Sequence, residues 1–133
     1  MAKVLIIEDD KFLRELITQK VGQEGYDVVG AADGEEGLKM AVKEKPNIIL
    51  LDLILPTMDG FEVLQQLQAE ETTKSIPVIV LSNLGQKEDI DKGMQFGAVD
   101  YMIKAHFTPG EIIEKIKEKD VKNTILTIRI SGC

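Results

Sequence analysis

Two stretches of the chain are apolar without a break and then turn acidic. Ile48-Ile49-Leu50-Leu51 runs into Asp52, and Val4-Leu5-Ile6-Ile7 runs into Glu8-Asp9-Asp10. Short unbroken runs of this kind, rich in Ile and Val and bounded by turn residues, predict strands buried on both faces. Three more segments read as strands: Asp27-Val28-Val29-Gly30-Ala31-Ala32, Pro77-Val78-Ile79-Val80-Leu81 and Asp100-Tyr101-Met102-Ile103. Pro77 stands at the first position of its strand, where the missing N–H costs least.

Helical spacing fills the gaps. Phe12, Leu13, Leu16, Ile17 and Val21 recur between polar residues and predict a first helix, which Gly25 can end. Asp33 offers an N-cap, Glu35 and Glu36 an acidic first turn, and Pro46 closes the second helix. Phe61, Val63, Leu64 and Leu67 mark a third after the Asp59-Gly60 turn. A fourth, from about Gln86 to Phe96, holds Gly93 and the acids Glu88, Asp89 and Asp91, so its propensity is poor. Thr108-Pro109-Gly110-Glu111 starts a fifth, with Ile112, Ile113 and Ile116 as its apolar side. Strands alternating with helices imply right-handed βαβ units. The expected fold class is α/β, a doubly wound (βα)5 domain on a parallel five-stranded sheet.

One segment falls outside this pattern. Asn123-Thr124-Ile125-Leu126-Thr127-Ile128-Arg129-Ile130 has strand composition but follows a fold that is already complete. The expected division is a domain over 1–121 and a C-terminal tail over 122–133. A sixth parallel strand would need a disfavoured left-handed crossover, which leaves pairing with another molecule, irregular packing or disorder. Intermolecular pairing is the expectation taken, since such a segment on a sheet edge promotes association.

Composition narrows the function classes. At 133 residues with a formal net charge of −7, the chain is one acidic domain. That charge argues against direct binding to nucleic acid, which needs Lys and Arg on phosphates. No window reaches the length of a membrane span. The initial apolar run is too short for a secretory signal, and Cys133 is the only cysteine, so a cytoplasmic, reducing location is expected.

The informative polar residues stand at strand ends: Glu8 and Asp9, Asp52, Ser82 and Lys104. Singly, each reads as a cap, a turn or an ordinary surface residue. In a doubly wound sheet of order 2-1-3-4-5, the first and third strands are neighbours ~4.8 Å apart, and their ends form the topological switch point. Two carboxylates at ~4 Å repel by roughly 4 kcal/mol at an effective dielectric of about 20. A retained proton relieves this, or a hard divalent cation such as Mg²⁺, which takes one or two carboxylates plus phosphate oxygens. With a lysine and a hydroxyl nearby, the set suits a phosphoryl group, and Asp52 is the natural nucleophile.

The motifs Leu5-Ile6-Ile7-Glu8-Asp9-Asp10, Leu51-Asp52-Leu53-Ile54-Leu55-Pro56-Thr57-Met58-Asp59-Gly60, Val80-Leu81-Ser82 and Gly97-Ala98-Val99-Asp100-Tyr101-Met102-Ile103-Lys104 carry a resemblance. Over roughly Lys3 to Lys119 the chain resembles the response-regulator receiver domains of two-component signalling, the CheY-like family. The flavodoxin-like strand order 2-1-3-4-5 comes with that resemblance. So do the roles: Asp52 as phosphoacceptor, Glu8 and Asp9 with Asp52 and the Ile54 carbonyl as Mg²⁺ ligands, Lys104 as the phosphate-pairing lysine. Ser82 resembles the switch hydroxyl and Tyr101 the switch aromatic, while Asp10 is expected to cap the first helix. The implied partners are a sensor histidine kinase or a histidine phosphotransfer protein. The implied output surface is the fourth helix, fifth strand and fifth helix, a face that, like the tail, could also serve self-association.

Three positions depart from or refine the family pattern. Ala105 stands where members usually carry Pro after the lysine, and a cis bond without proline costs ~3 kcal/mol, so a trans peptide is expected. Ile54 and Leu84 occupy the two positions that in the family tune autodephosphorylation, and both are apolar. A long-lived phosphoryl group is expected on a binding module that is not a turnover enzyme. Two readings compete. A flavodoxin-like electron carrier would need a hydroxyl-rich phosphate loop where Glu8-Asp9-Asp10 stands. A phosphohydrolase with an aspartyl nucleophile would need an acid where Ile54 stands. His106 is expected to be a plain loop residue.

Overall fold

The computed structural model describes residues 2–120. Its elements follow the alternation of the sequence: β1 (Lys3–Ile7), α1 (Lys11–Gln23), β2 (Asp27–Ala31), α2 (Gly34–Glu44), β3 (Ile48–Leu51), α3 (Gly60–Ala69), β4 (Val78–Ser82), α4 (Lys87–Gln95), β5 (Asp100–Ile103) and α5 (Pro109–Lys119). A single 3-10 turn, Lys104–His106, joins β5 to α5. The strand-like tail at 122–133, including Cys133, lies outside the described residues.

The five strands are parallel and ordered β2-β1-β3-β4-β5. Alternate strand residues feed two cores. Leu5, Ile7, Ile49, Leu51, Val78 and Val80 pack with Val63, Leu64 and Leu67 of α3 and with Ala41 of α2. Val4, Ile6, Ile48, Leu50, Ile79 and Met102 pack on the other face with Ile17 and Val21 of α1 and Ile112 and Ile116 of α5. Burial on both faces is why β1, β3 and β4 read as continuous apolar runs and not as alternating ones.

The first helix corrects one expectation. Leu13, Ile17 and Val21 face the sheet, but Phe12 is 85% exposed and Leu16 is 40% exposed. Each sits one residue, about 100° around the helix, from a sheet-facing neighbour. The apolar stripe of α1 is wider than the part the sheet can cover.

Helix starts are fixed locally. Asp10 accepts from the Leu13 N–H, Asp33 from Glu36 and Asp59 from Phe61. Thr108 and Glu111 form a reciprocal capping box with Pro109 at the first helical position. Such caps contribute about 1 kcal/mol each. The start of α4, at Gln86, has no side-chain cap. That helix is instead held from the side. The Lys92 ammonium lies 4.3 Å from the centroid of Phe61, whose ring meets Phe96 edge-on.

Candidate functional site

The register of the sheet brings the acidic strand ends together. Ile7 of β1 pairs with Leu51 of β3, and the Asp52 N–H donates to the Ile7 carbonyl at 3.0 Å. Glu8 and Asp52 thus leave adjacent strands side by side. Carboxylate oxygens of Glu8, Asp9 and Asp52 all lie within 4.8 Å of one another. Glu8 and Asp52 are buried and Asp9 is exposed. Burying two like charges together is costly unless a cation joins them.

Lys104 is that cation within the chain. Leaving β5 at the start of the 3-10 turn, its ammonium lies 2.8 Å from Asp52 Oδ2 and 2.9 Å from Glu8 Oε2. Burial alone would push the lysine down, but hydrogen bonds and charge from Asp52 and Glu8 outweigh it and hold the ammonium above its ordinary value. Glu8 is pushed up to about 7, first by burial and then by its carboxyl contact with Asp52, against the pull of Lys104. The other oxygen of Asp52, Oδ1, accepts the Ile54 N–H at 3.1 Å.

The loop after β3 is built to let Asp52 sit there. The Gly60 N–H donates to the Leu53 carbonyl at 3.0 Å. A Cβ on Gly60 would lie 2.3 Å from Leu53 Cα and 2.7 Å from the Asp52 carbonyl oxygen, so only glycine fits. Thr57 takes a left-handed φ of 65° to complete the turn. The sequence read Asp59-Gly60 as a turn alone. The motif also clamps the peptide that carries Asp52.

Of the five buried polar or charged side chains among the described residues, Glu8, Asp52 and Ser82 share this edge of the sheet. Ser82 ends β4, and its Oγ accepts from the Leu84 N–H at 3.4 Å; its hydroxyl makes no hydrogen bond to Asp52 in this arrangement. Tyr101 donates its phenolic hydrogen to the carbonyl of the same Leu84. Its ring rests against α4 at Gly93, where a Cβ would come within 2.9 Å of it. Burial raises the Tyr101 hydroxyl to about 12, with help from the charges of Asp89 and Asp52. Ile54 is 53% exposed beside Asp52. His106 is exposed in the 3-10 turn, and no cis peptide bond occurs among the described residues, so the bond between Lys104 and Ala105 is trans.

One residue escaped the sequence reading. Arg14, one of the polar residues between the apolar positions of the first helix, donates from Nη1 to the Glu8 carbonyl at 2.7 Å. A side chain reaching back six residues onto a backbone carbonyl leaves no periodic signal to find.

Fold and site together define a doubly wound α/β domain with three carboxylates and a lysine at its topological switch point. Comparison with known proteins gives the family. The model of the response regulator receiver domain matches residues 4–117, and the chain belongs to that family. It is 41% identical over 117 residues to the DNA-binding dual master transcriptional regulator RpaA of Synechocystis, covering 88% of this chain and 48% of that protein. It is 36% identical over 132 residues to the transcriptional regulatory protein HprR of Escherichia coli, covering 98% and 57%. The chain thus spans about half the length of the curated relatives it matches. Among solved structures, a CheY-like receiver domain protein from Methanospirillum hungatei superposes with a TM-score of 0.85 at 30% identity, over 93% of this chain and 97% of that one. The chemotaxis protein CheY4 of Vibrio cholerae gives 0.83 at 30% identity, over 89% and 98%.

Proposed function

We propose that this receiver is a phosphorylation switch whose acceptor is Asp52. The observation that carries the reading is the Lys104 ammonium seated between Asp52 and Glu8 at the ends of three strands. Asp52 Oδ attacks the phosphorus of a phosphohistidine on a histidine kinase or phosphotransfer protein. The new P–O bond forms as the P–N bond breaks, and the imidazole leaves with its electron pair. The Ile54 N–H, already on Oδ1, fixes the orientation of the acceptor carboxylate. Lys104 is placed to pair with a phosphoryl oxygen once Asp52 carries it.

The donor set fits a hard cation: three carboxylate oxygens crowd within 4.8 Å, with no nitrogen or sulfur ligand among them. Glu8, Asp9 and Asp52, with the Ile54 carbonyl, would hold Mg²⁺, which when bound neutralises the phosphoryl oxygens. The chain's own part is to set those oxygens on rigid strand ends and to supply, from Lys104, an ammonium that offsets their charge.

Signal output runs through α4, β5 and α5. Ser82 turns toward the phosphoryl group, which releases the Leu84 N–H, and Tyr101 follows because it is tied to the Leu84 carbonyl. The uncapped α4 is the element that yields. The domain proper occupies residues 1–121, works in the cytoplasm, and acts on DNA only through other segments or partners, as suits its charge of −7.

The test is incubation with a small acyl phosphate and Mg²⁺, followed by intact mass measurement. Wild type gains one phosphoryl group and Asp52→Asn gains none. A gain independent of Asp52, or no gain at all, refutes the reading.

A further inference from the structure

The backbone of Glu8 is held at both ends. Its N–H donates to the Ala31 carbonyl of β2 at 3.0 Å, and its carbonyl accepts from Arg14 at 2.7 Å. Arg14 is the only arginine among the described residues. Three carboxylates gather at the same edge of the sheet, yet among the described residues Arg14 forms no ion pair. Its guanidinium goes to a peptide carbonyl instead. The stem of Arg14 reaches that carbonyl by crossing β2 at Gly30. A Cβ there would stand 3.2 Å from Arg14 Cδ and 3.5 Å from Cγ, so the missing side chain of Gly30 leaves the path open.

The peptide so held is the one that joins Glu8 to Asp9. Asp9 is exposed, and among the described residues no hydrogen bond holds its carboxylate. Its direction therefore follows from the backbone that carries it. We propose that Arg14 is a positioning residue for the cation site: by fixing the 8–9 peptide it aims the carboxylates of Glu8 and Asp9 toward Asp52. The inference rests on the reading above that these carboxylates take Mg²⁺. A simple charge effect would have the opposite sign, because a nearby guanidinium repels a cation. Positioning and repulsion thus predict opposite outcomes when the charge is removed.

The experiment titrates the full chain with MgCl2 alone, by calorimetry or by amide chemical shifts. Arg14→Met keeps an apolar stem over Gly30 and loses the donor; its Mg²⁺ dissociation constant rises about tenfold, the low end of what losing a hydrogen-bond partner behind a metal ligand costs. Arg14→Lys, which keeps a donor, recovers part of that loss. Gly30→Ala, which displaces the stem without changing any charge, weakens binding in the same direction. Excess Mg²⁺ restores phosphorylation of the Arg14→Met protein by an acyl phosphate. If Arg14→Met fails to fold, Arg14→Lys and Gly30→Ala decide the matter by the same sign. Wild-type affinity or tighter in the folded variants overturns the proposal. Absence of Mg²⁺ binding by wild type overturns the cation reading beneath it, whereas the Asp52-dependent mass gain tests phosphoacceptance separately.

Discussion

Tyr101 and Ser82 are joined through a single residue, Leu84: the tyrosine donates to its carbonyl and its N–H donates to the serine. Replacing Tyr101 with Phe removes one of these bonds and is expected to cost about 1 kcal/mol in chemical denaturation. The hydroxyl also sets a pH dependence. Its value in the fold, about 12, lies above the ordinary 10. Its contribution to stability is therefore full below pH 10 and is lost as pH rises through about 12. Tyrosinate absorbance of Tyr26→Phe, in which Tyr101 is the sole tyrosine, should show that late titration. Ionisation near 10 would contradict a buried, hydrogen-bonded ring.

Gly93 on α4 gives a prediction opposed to helix propensity. In a free helix Gly→Ala gains about 1 kcal/mol. Here the added Cβ would sit 2.9 Å from the Tyr101 ring. Gly93→Ala is expected to lower stability by about 1 kcal/mol net, as overpacking outweighs the gain. The Tyr101 ring resonances should shift with it. A stabilised protein with unmoved resonances would show that the contact relaxes freely.

Lys104→Met leaves Glu8 and Asp52 buried together without their ammonium. Removing one partner of such a group costs about 3 kcal/mol. Unfolding in urea without divalent cations should show that loss, and added Mg²⁺ should return part of it. Equal stability with and without Mg²⁺ would argue that the carboxylates do not share a cation.

Glu8 sets a second pH dependence, in the physiological range. Its ordinary value is 4.5 and in the fold it rises to about 7. A raised value means the folded state holds the proton more tightly. In Mg²⁺-free buffer its contribution to stability is present below pH 4.5 and is lost as pH rises through about 7. Glu8→Gln should flatten that slope in urea midpoints measured from pH 5 to 8. An unchanged slope would place the titration elsewhere.

Ile54 stands beside Asp52, the proposed acceptor, half exposed and without a polar group to orient water. Ile54→Asn is expected to speed decay of the phosphorylated protein several-fold with Mg²⁺ present. Intact mass followed over time measures it, and equal or slower decay would separate lifetime from this position.

The elements were legible because each is a local pattern. All ten appear where periodicity, caps and proline placed them, with ends shifted by a residue or two. The strand order came from the family resemblance, since periodicity says nothing of which strands pair. Glu8, Asp9, Asp52 and Lys104 were picked out by their place at strand ends, and the sheet does bring them together. What stayed hidden is contact between distant parts. Gly93 against Tyr101 and Arg14 across Gly30 depend on backbone approaching a side chain, and Gly60 against Leu53 on backbone meeting backbone. The exposure of Phe12 was equally hidden, because helical spacing marks an apolar stripe without saying how wide the surface beneath it is.

Lys104 reaches carboxylates 52 and 96 positions earlier in the chain. A fragment that stops short of β5 lacks the lysine of the site. A chain whose last strand has not docked has the Asp52 carboxylate but lacks the ammonium beside it. On the proposed reading of Asp52 as acceptor, phosphoryl transfer with Lys104 in place is open only to a chain whose fifth strand has docked.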